Sequence, residues 1–213
     1  MGIARVVAAV LALLVAAGGP ARADVPGRFD YYVLALSWSP GWCALEGDAR
    51  RAPECAAGAG RGLSLHGLWP QYERGWPRDC RAAVPDATRA QTAAMADIMG
   101  SAGLAWHEWK AHGRCSGLTA QAYFDLSRRA YEAIRAPAAL AGAGGEALSP
   151  ARVEALMLAA NPALGPDGVT VRCRSGRLTE LRICLTRALE PRNCAADTRQ
   201  DCNLETIDIE PLR

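Results

Sequence analysis

The distribution of apolar and polar positions predicts a chain of mixed strands and helices. Residues 30–38 carry aromatic and branched side chains on both faces, which predicts a central strand. Residues 63–66 predict a second, short strand after a glycine-rich loop, and residues 169–173 and 178–185 predict two more. In the last of these strands apolar and charged side chains alternate, so one face is predicted to be buried. The alternating residues are Glu180, Leu181, Arg182, Ile183 and Leu185.

Helical spacing marks three further segments. Residues 88–99 have a helical composition, residues 119–134 follow a capping threonine, and a third helix begins at Ser149-Pro150. Residues 136–145 are mostly small and predict a loop. Strands and helices follow one another without a regular βαβ repeat. This favours an α+β fold, with a central, largely antiparallel sheet flanked by helices.

The first 23 residues have the organisation of a secretory signal peptide. Arg5 gives a positive start, residues 6–17 form an apolar run, and Ala21-Arg22-Ala23 supplies small residues for cleavage. The run is too short between its polar flanks to predict a membrane span, and no later stretch predicts one. We therefore expect a signal peptide over residues 1–23 and a single domain over residues 24–213, exported to the periplasm or the medium.

Charge does not indicate a nucleic-acid partner by itself. Removal of the first 23 residues takes away two arginines and leaves as many basic as acidic residues. Any site for a polyanion must therefore be local.

All eight cysteines lie after the predicted cleavage site. An even number of cysteines in an exported chain predicts four disulfides, but the residues alone leave many pairings open. No two cysteines form the C-x-x-C pair that structural zinc sites commonly use.

The three histidines lie in two short segments. LSLHGLWPQY contains His66 and Trp69, and WHEWKAHGRC contains His107, Glu108 and His112. Histidine exchanges protons near neutral pH. A single histidine is often only structural, but histidines clustered beside Trp, Glu and Gly are typical of a catalytic site.

Spacing within the second segment favours acid–base chemistry over a metal site. Zinc peptidases place two histidines four residues apart on one helical face. His107 and His112 are five apart, which separates them by about 140° on a helix. Glu108 and His112 are four apart and share a face. No metal and no other cofactor is predicted.

The two segments resemble the active-site segments of the ribonuclease T2 family, whose patterns are roughly HGLWP and HEWxKHGTC. YYVLALSWSPGWC resembles the family's first core strand, and LTELRICL followed by Cys194 resembles a late strand. The resemblance implies an α+β fold and an exported endoribonuclease. Such an enzyme cuts single-stranded RNA with little base specificity, through a 2′,3′-cyclic phosphate to 3′-phosphate ends.

The resemblance also implies a role for each matching residue. His112 matches the base that takes the proton of the ribose 2′-hydroxyl, and His66 matches the acid that protonates the leaving 5′-oxygen. Glu108 matches a carboxylate that stabilises the pentavalent phosphate or orients its neighbours. His107 matches a phosphate-binding histidine, and Trp69 matches a tryptophan of a base site. RNA carries its own nucleophile, so an acid, a base and charge stabilisation suffice.

One departure from the family pattern concerns a cation. The family's lysine stands directly before the second histidine, where this chain has Ala111, and the lysine lies one place earlier at Lys110. That shift turns a side chain by about 100° on a helix. Lys110 is taken as a substrate-binding residue, and Arg114 is the other candidate for the phosphate. Base preference stays open.

The family arrangement also implies a disulfide pattern. The implied pairs are Cys43–Cys55, Cys80–Cys115, Cys173–Cys202 and Cys184–Cys194. The second pair would tie the two histidine segments together.

Three other functions fit the sequence less well. A non-catalytic RNA-binding relative should lack His66 or His112, and both are present. The histidine spacing disfavours a metallohydrolase, and a disulfide-rich inhibitor would not need two histidine–tryptophan segments. The expected partner is RNA, mainly single-stranded, bound by a monomer with no membrane contact after signal cleavage.

Overall fold

A computed structural model describes residues 24–77, 80–81 and 83–213. The predicted signal peptide lies outside these residues. The strands are β1 Tyr31–Trp38, β2 Leu63–Gln71, β3 Ala147–Leu148, β4 Val169–Arg174, β5 Arg177–Leu185 and β6 Ile207–Asp208. The helices are α1 Ser39–Trp42, α2 Arg89–Ala93, α3 Ala96–Met99, α4 Ala102–Ala111, α5 Ala120–Glu132, α6 Ala138–Gly142 and α7 Pro150–Ala160. None of the helices in these ranges has the length and apolar character to cross a membrane.

The strands form one sheet in the order β2-β1-β5-β6-β3, with β4 also paired to β5. All the pairings are antiparallel except a single contact between β5 and β6. β1 lies between β2 and β5 and is buried on both faces, as its two-sided apolar pattern predicts. The α+β prediction of a largely antiparallel sheet with flanking helices is confirmed.

The two faces of the sheet differ in what covers them. One face carries alternate residues of β1 from Tyr32 to Trp38, together with Leu181 and Ile183 of β5, and packs in the main core with residues of α5 and α7. The opposite face carries Tyr31 and Val33 in a smaller apolar cluster at one end of β1. Farther along that second face β1 presents only small side chains, because Ala35 and Ser37 alternate with the core residues.

A β-bulge interrupts the pairing of β2 with β1. Leu36 pairs with Leu65 and Ala35 pairs with Gly67, which leaves His66 as the extra residue. The strand continues to Gln71, beyond the predicted end at residue 66. It includes Pro70, which is tolerated because β2 lies at the edge of the sheet.

Two predictions for the helical part are corrected. Residues 88–99 form two short helices rather than one, with a Thr88–Gln91 capping box at the start of α2. Residues 136–145 are not only loop, since α6 forms there. Burial of Leu140 stabilises this short helix among otherwise small residues.

The structure contains four disulfides, and their pairing is the one that the resemblance implies. Cys80–Cys115 closes the longest loop in sequence, with a separation of 35 residues. Closing a loop of that length lowers the conformational entropy of the unfolded chain, which stabilises the folded protein by roughly 3–4 kcal/mol. Cys115 is the last residue of the second histidine segment, three residues after His112, so this bond fixes the end of that segment.

Candidate active site

The bulge in β2 directs His66 toward the face of the sheet that carries Ala35 and Ser37. There its Nδ1 lies 2.6 Å from Oε2 of Glu180. Because a carboxylate only accepts, Nδ1 carries the proton of this bond. The other ring nitrogen, Nε2, lies 3.6 Å from Oε1 of Glu108. His66 is thus held by one carboxylate and faces a second.

Two carboxylates determine the protonation of His66. Burial alone lowers its pKa, but the hydrogen bond to Glu180 and the charges of Glu108 and Glu180 outweigh burial, so the pKa is raised above its ordinary value. Glu180 shows the reciprocal effect. Burial opposes its charge, yet the hydrogen bond from His66 and the charge of Arg182 lower its pKa. His66 is therefore suited to carry a proton near neutral pH.

Glu108 projects from α4 and is almost wholly buried. Its Oε2 accepts a 2.6 Å hydrogen bond from Nε1 of Trp69. Burial raises the pKa of Glu108, while the charge of His66 and the bond from Trp69 act against that rise. Gly67 allows the approach, because a Cβ at that position would lie 2.1 Å from Oε2 of Glu108 and 2.4 Å from Nε1 of Trp69.

His112 caps the C-terminal end of α4, and its backbone N–H still donates a 2.9 Å hydrogen bond to the carbonyl of Glu108, the i to i−4 bond of a helix. α4 ends at Ala111, and His112 takes φ −126° and ψ −46°, outside the helical region. Its ring stacks on Trp69 with the centroids 5.1 Å apart. The geometry therefore links Glu108 to His112 through Trp69, which bonds the first and stacks on the second.

The environment of His112 favours its neutral form. Burial, followed by the positive charges of His66, His107 and Arg182, lowers the pKa of His112 to about 4. The imidazole rings of His66 and His112 thus differ in the charge state that their surroundings favour. Trp69 contacts both, since its ring also meets His66 edge-on at 5.2 Å.

The other predicted site residues lie around these groups. His107 is exposed on α4, and its charge acts on both Glu108 and His112. Lys110 Nζ lies 3.4 Å from Oδ2 of Asp86. Nε of Arg114 donates a 3.1 Å hydrogen bond to the same carboxylate. Both cations considered for the phosphate are thus engaged by Asp86.

Glu180 and Arg182 are functional candidates that the sequence analysis did not single out. They occupy positions on β5 opposite Ser37 and Ala35 of β1. The alternation in β5 places them on the face away from the main core, but Glu180 is buried rather than solvated. The available signal was a carboxylate and an arginine, Glu180 and Arg182, that alternate with apolar residues of β5. Nothing in the sequence spacing connects Glu180 to His66, which lies 114 residues away.

A groove of about 590 Å³ borders the site. His66, Ser37 and Ser64 contribute to its wall, together with Trp42 and Arg174. Within the described ranges, no group of three or more His, Cys, Asp or Glu side chains is arranged to hold a metal ion.

Comparison with known proteins identifies the family of this chain. The model of the ribonuclease T2 family matches residues 29–194. A ribonuclease from Aeromonas hydrophila is 43% identical over 101 residues, which cover 47% of this chain and 44% of that relative. The chain therefore matches less than half the length of that relative.

Solved structures share the fold. An RNase-related protein from Calystegia sepium superposes with a TM-score of 0.69 at 19% identity, covering 85% of this chain and 97% of that one. RNase NT in complex with 5′-AMP gives a TM-score of 0.58 at 20% identity, covering 86% and 99%. The extent of the family match and the agreement in fold lead to one conclusion: this chain belongs to the ribonuclease T2 family.

Proposed function

We propose that the protein is an endoribonuclease that cleaves single-stranded RNA by attack of the ribose 2′-hydroxyl on the adjacent phosphate. The observation that carries this proposal is the opposite protonation preference of two neighbouring histidines. The pKa of His112 is lowered to about 4, which favours its neutral form, and the pKa of His66 is raised, which favours its protonated form. An acid and a base prepared in this way are what transphosphorylation requires.

The proton movements follow from these preferences. Neutral His112 accepts the proton of the 2′-hydroxyl as that oxygen forms a bond to phosphorus. Protonated His66 donates from Nε2 to the 5′-oxygen as the P–O5′ bond breaks, because Nδ1 is occupied by Glu180. The products are a 2′,3′-cyclic phosphate and a free 5′-hydroxyl. In the second step water opens the ring, the two histidines exchange roles, and a 3′-phosphate results.

Glu108 and Trp69 support the transfer. Glu108 lies 3.6 Å from the acid nitrogen of His66 and stabilises its cationic form. Trp69 fixes Glu108 by its N–H and stacks on the base His112, so it holds acid, base and carboxylate in one arrangement. His112 and His66 carry both protons, and no step of this mechanism is assigned to a metal ion.

The substrate class follows from the nucleophile. DNA lacks the 2′-hydroxyl, and a base must leave its stack to meet an aromatic side chain, so single-stranded RNA is the proposed substrate. The structure of RNase NT was solved with 5′-AMP, a nucleotide, which is consistent with this class. We also propose export to the periplasm or medium as a monomer, since four disulfides suit an oxidising compartment. Sequencing the N-terminus of the exported protein tests this, with Asp24 expected first.

The experiment compares RNA, DNA of the same sequence and 2′-O-methyl RNA, each in excess EDTA. We expect only RNA to be cut, with 2′,3′-cyclic phosphate ends appearing before 3′-phosphate ends. His66→Ala, purified in parallel, controls for contaminating ribonuclease. Loss of RNA cleavage on chelation, or comparable cutting of the methylated strand, contradicts the mechanism.

A further inference from the structure

The charge balance around His66 favours a further cation beside it. Glu108 and Glu180 both face His66, so these three groups together bear one negative charge when His66 is protonated and both carboxylates are ionised. A phosphodiester approaching them is itself an anion. Without a further positive charge, the site would repel the substrate and the more highly charged transition state.

The two cations nearest in sequence to His112 are already paired. Lys110 contacts Asp86 and lies 5.3 Å from the ring of Trp106. Arg114 donates to Asp86 through Nε and a terminal nitrogen. Asp86 also accepts from the indole of the buried Trp109, which anchors the carboxylate. Release of either cation to the phosphate would therefore break an ion pair.

Arg182 lies instead on the catalytic face of the sheet. Its backbone pairs with Ala35, whose other partner is Gly67, next to His66. Its guanidinium carbon lies 5.0 Å from the ring centre of Trp69. Besides burial, its positive charge acts to lower the pKa of both His66 and His112, so it is close enough to affect each of them.

The donors of Arg182 are only partly used. Nε donates a 2.7 Å hydrogen bond to Oε1 of Glu180. Among the residues that the structure describes, no acceptor takes a hydrogen bond from either terminal nitrogen. The side chain is 27% exposed, and neither terminal nitrogen is among the buried polar atoms of the described residues that lack a partner. A guanidinium fixed through Nε and open at its two terminal nitrogens suits two-point binding of phosphate oxygens.

We infer that Arg182 binds the scissile phosphate and supplies from the sheet the positive charge that the family's lysine would supply from the position of Ala111. This inference rests on the proposed endoribonuclease function. Glu180 contacts both the proton donor and the arginine, because its Oε2 orients His66 and its Oε1 orients Arg182. A single carboxylate therefore sets the distance between the proton donor and the anion-binding group.

The test replaces Arg182 and a matched arginine on the same strand. Arg177 also donates through Nε to a glutamate, Glu210, at 2.6 Å, but it lies at the other end of β5. We expect Arg182→Gln to lower kcat about 100-fold, as for loss of one oxyanion donor, and Arg177→Gln to leave it within about twofold. In the double variant that carries Ala111→Lys and Arg182→Gln, kcat should be at least about tenfold higher than in Arg182→Gln alone, because the new lysine supplies a cation from α4.

Measurements of nucleotide affinity distinguish direct contact of Arg182 with the phosphate from a positioning role. Arg182→Gln should weaken the affinity for adenosine 3′-monophosphate about tenfold and leave the affinity for uncharged adenosine unchanged, as measured by calorimetry. Equal nucleotide affinity in the variant and the unaltered protein overturns the inference, even where the rate falls. If the unaltered protein binds the nucleotide but cuts no RNA, the proposed function fails while the binding comparison still decides the role of Arg182.

Discussion

His66 and His112 approach the same site from different elements, and the charges around them differ. His66 sits on the sheet with Glu180 behind it and Glu108 in front. His112 sits just beyond the end of α4, stacked on Trp69, with positive groups as its charged neighbours. The pKa of the first is raised and that of the second is lowered to about 4. The difference shows how the surroundings of one residue type can prepare it for service either as an acid or as a base.

Removing either histidine should produce the largest effect. Loss of a positioned acid or base costs about 10²–10⁴-fold. We expect His66→Ala and His112→Ala to lose kcat on RNA to that extent, whereas exposed His107→Ala should mainly raise KM. Near-normal turnover of His112→Ala would remove the assignment of the base.

A Cβ at Gly67 should disrupt the link between the two histidines. In Gly67→Ala the new methyl group would collide with Oε2 of Glu108 and Nε1 of Trp69, so their hydrogen bond must break or shift. We expect kcat to fall about 100-fold and the free energy of unfolding to fall by about 1–3 kcal/mol.

Gly142→Ala is the matched control for that variant, because a Cβ there meets nothing within 4 Å. Its kcat and its urea midpoint should stay near those of the unaltered protein. Full activity of Gly67→Ala would mean that the bond between Glu108 and Trp69 does not support catalysis.

Neutralising Glu180 should bring the pKa values of His66 and His112 closer together. In the unaltered protein the plot of kcat/KM against pH should be bell-shaped. Its acid limb lies near pH 4, where His112 gains a proton, and its basic limb lies above pH 6.5, where His66 loses one. Glu180→Gln removes the charge that raises the pKa of His66, so the basic limb should move to lower pH and the rate at pH 7 should fall about tenfold.

Glu210→Gln provides the comparison, since Glu210 also pairs with an arginine of β5 but lies away from His66. Its pH profile should match that of the unaltered protein. An unmoved basic limb in Glu180→Gln would show that Glu180 does not control the acid.

The sequence predicts the elements of this site better than their mutual arrangement. The two histidine segments, the central strand and the helices of residues 119–134 and from residue 150 follow from local pattern and the family resemblance. The contact between Glu180 and His66 does not, because it crosses β1 between two strands that are distant in sequence. Strand alternation predicts a polar face but cannot tell a solvated carboxylate from one buried beside a histidine.

Local geometry also limits prediction at the end of α4. Counting residues places Glu108 and His112 on one helical face, but the count does not show that Trp69 of β2 lies against both of them. The helix ends at Ala111, and a 3₁₀ turn over Gly113–Ser116 leads to Cys115. The contact of both side chains with Trp69 is a tertiary effect, which the spacing of residues in α4 does not contain.

The bulge at His66 allows two pairs of residues with an odd spacing to share a face. Leu65 and Leu68 both enter the main core, although they are three positions apart, and His66 and Trp69 both lie on the opposite side of the sheet. In a regular strand, an odd spacing would send one member of each pair to the wrong face. Straightening the bulge at unchanged chain length would therefore turn either Trp69 or His66 toward the core without changing the chemistry of any side chain. The site thus depends not only on which residues β2 contains but also on one extra residue in its pairing with β1.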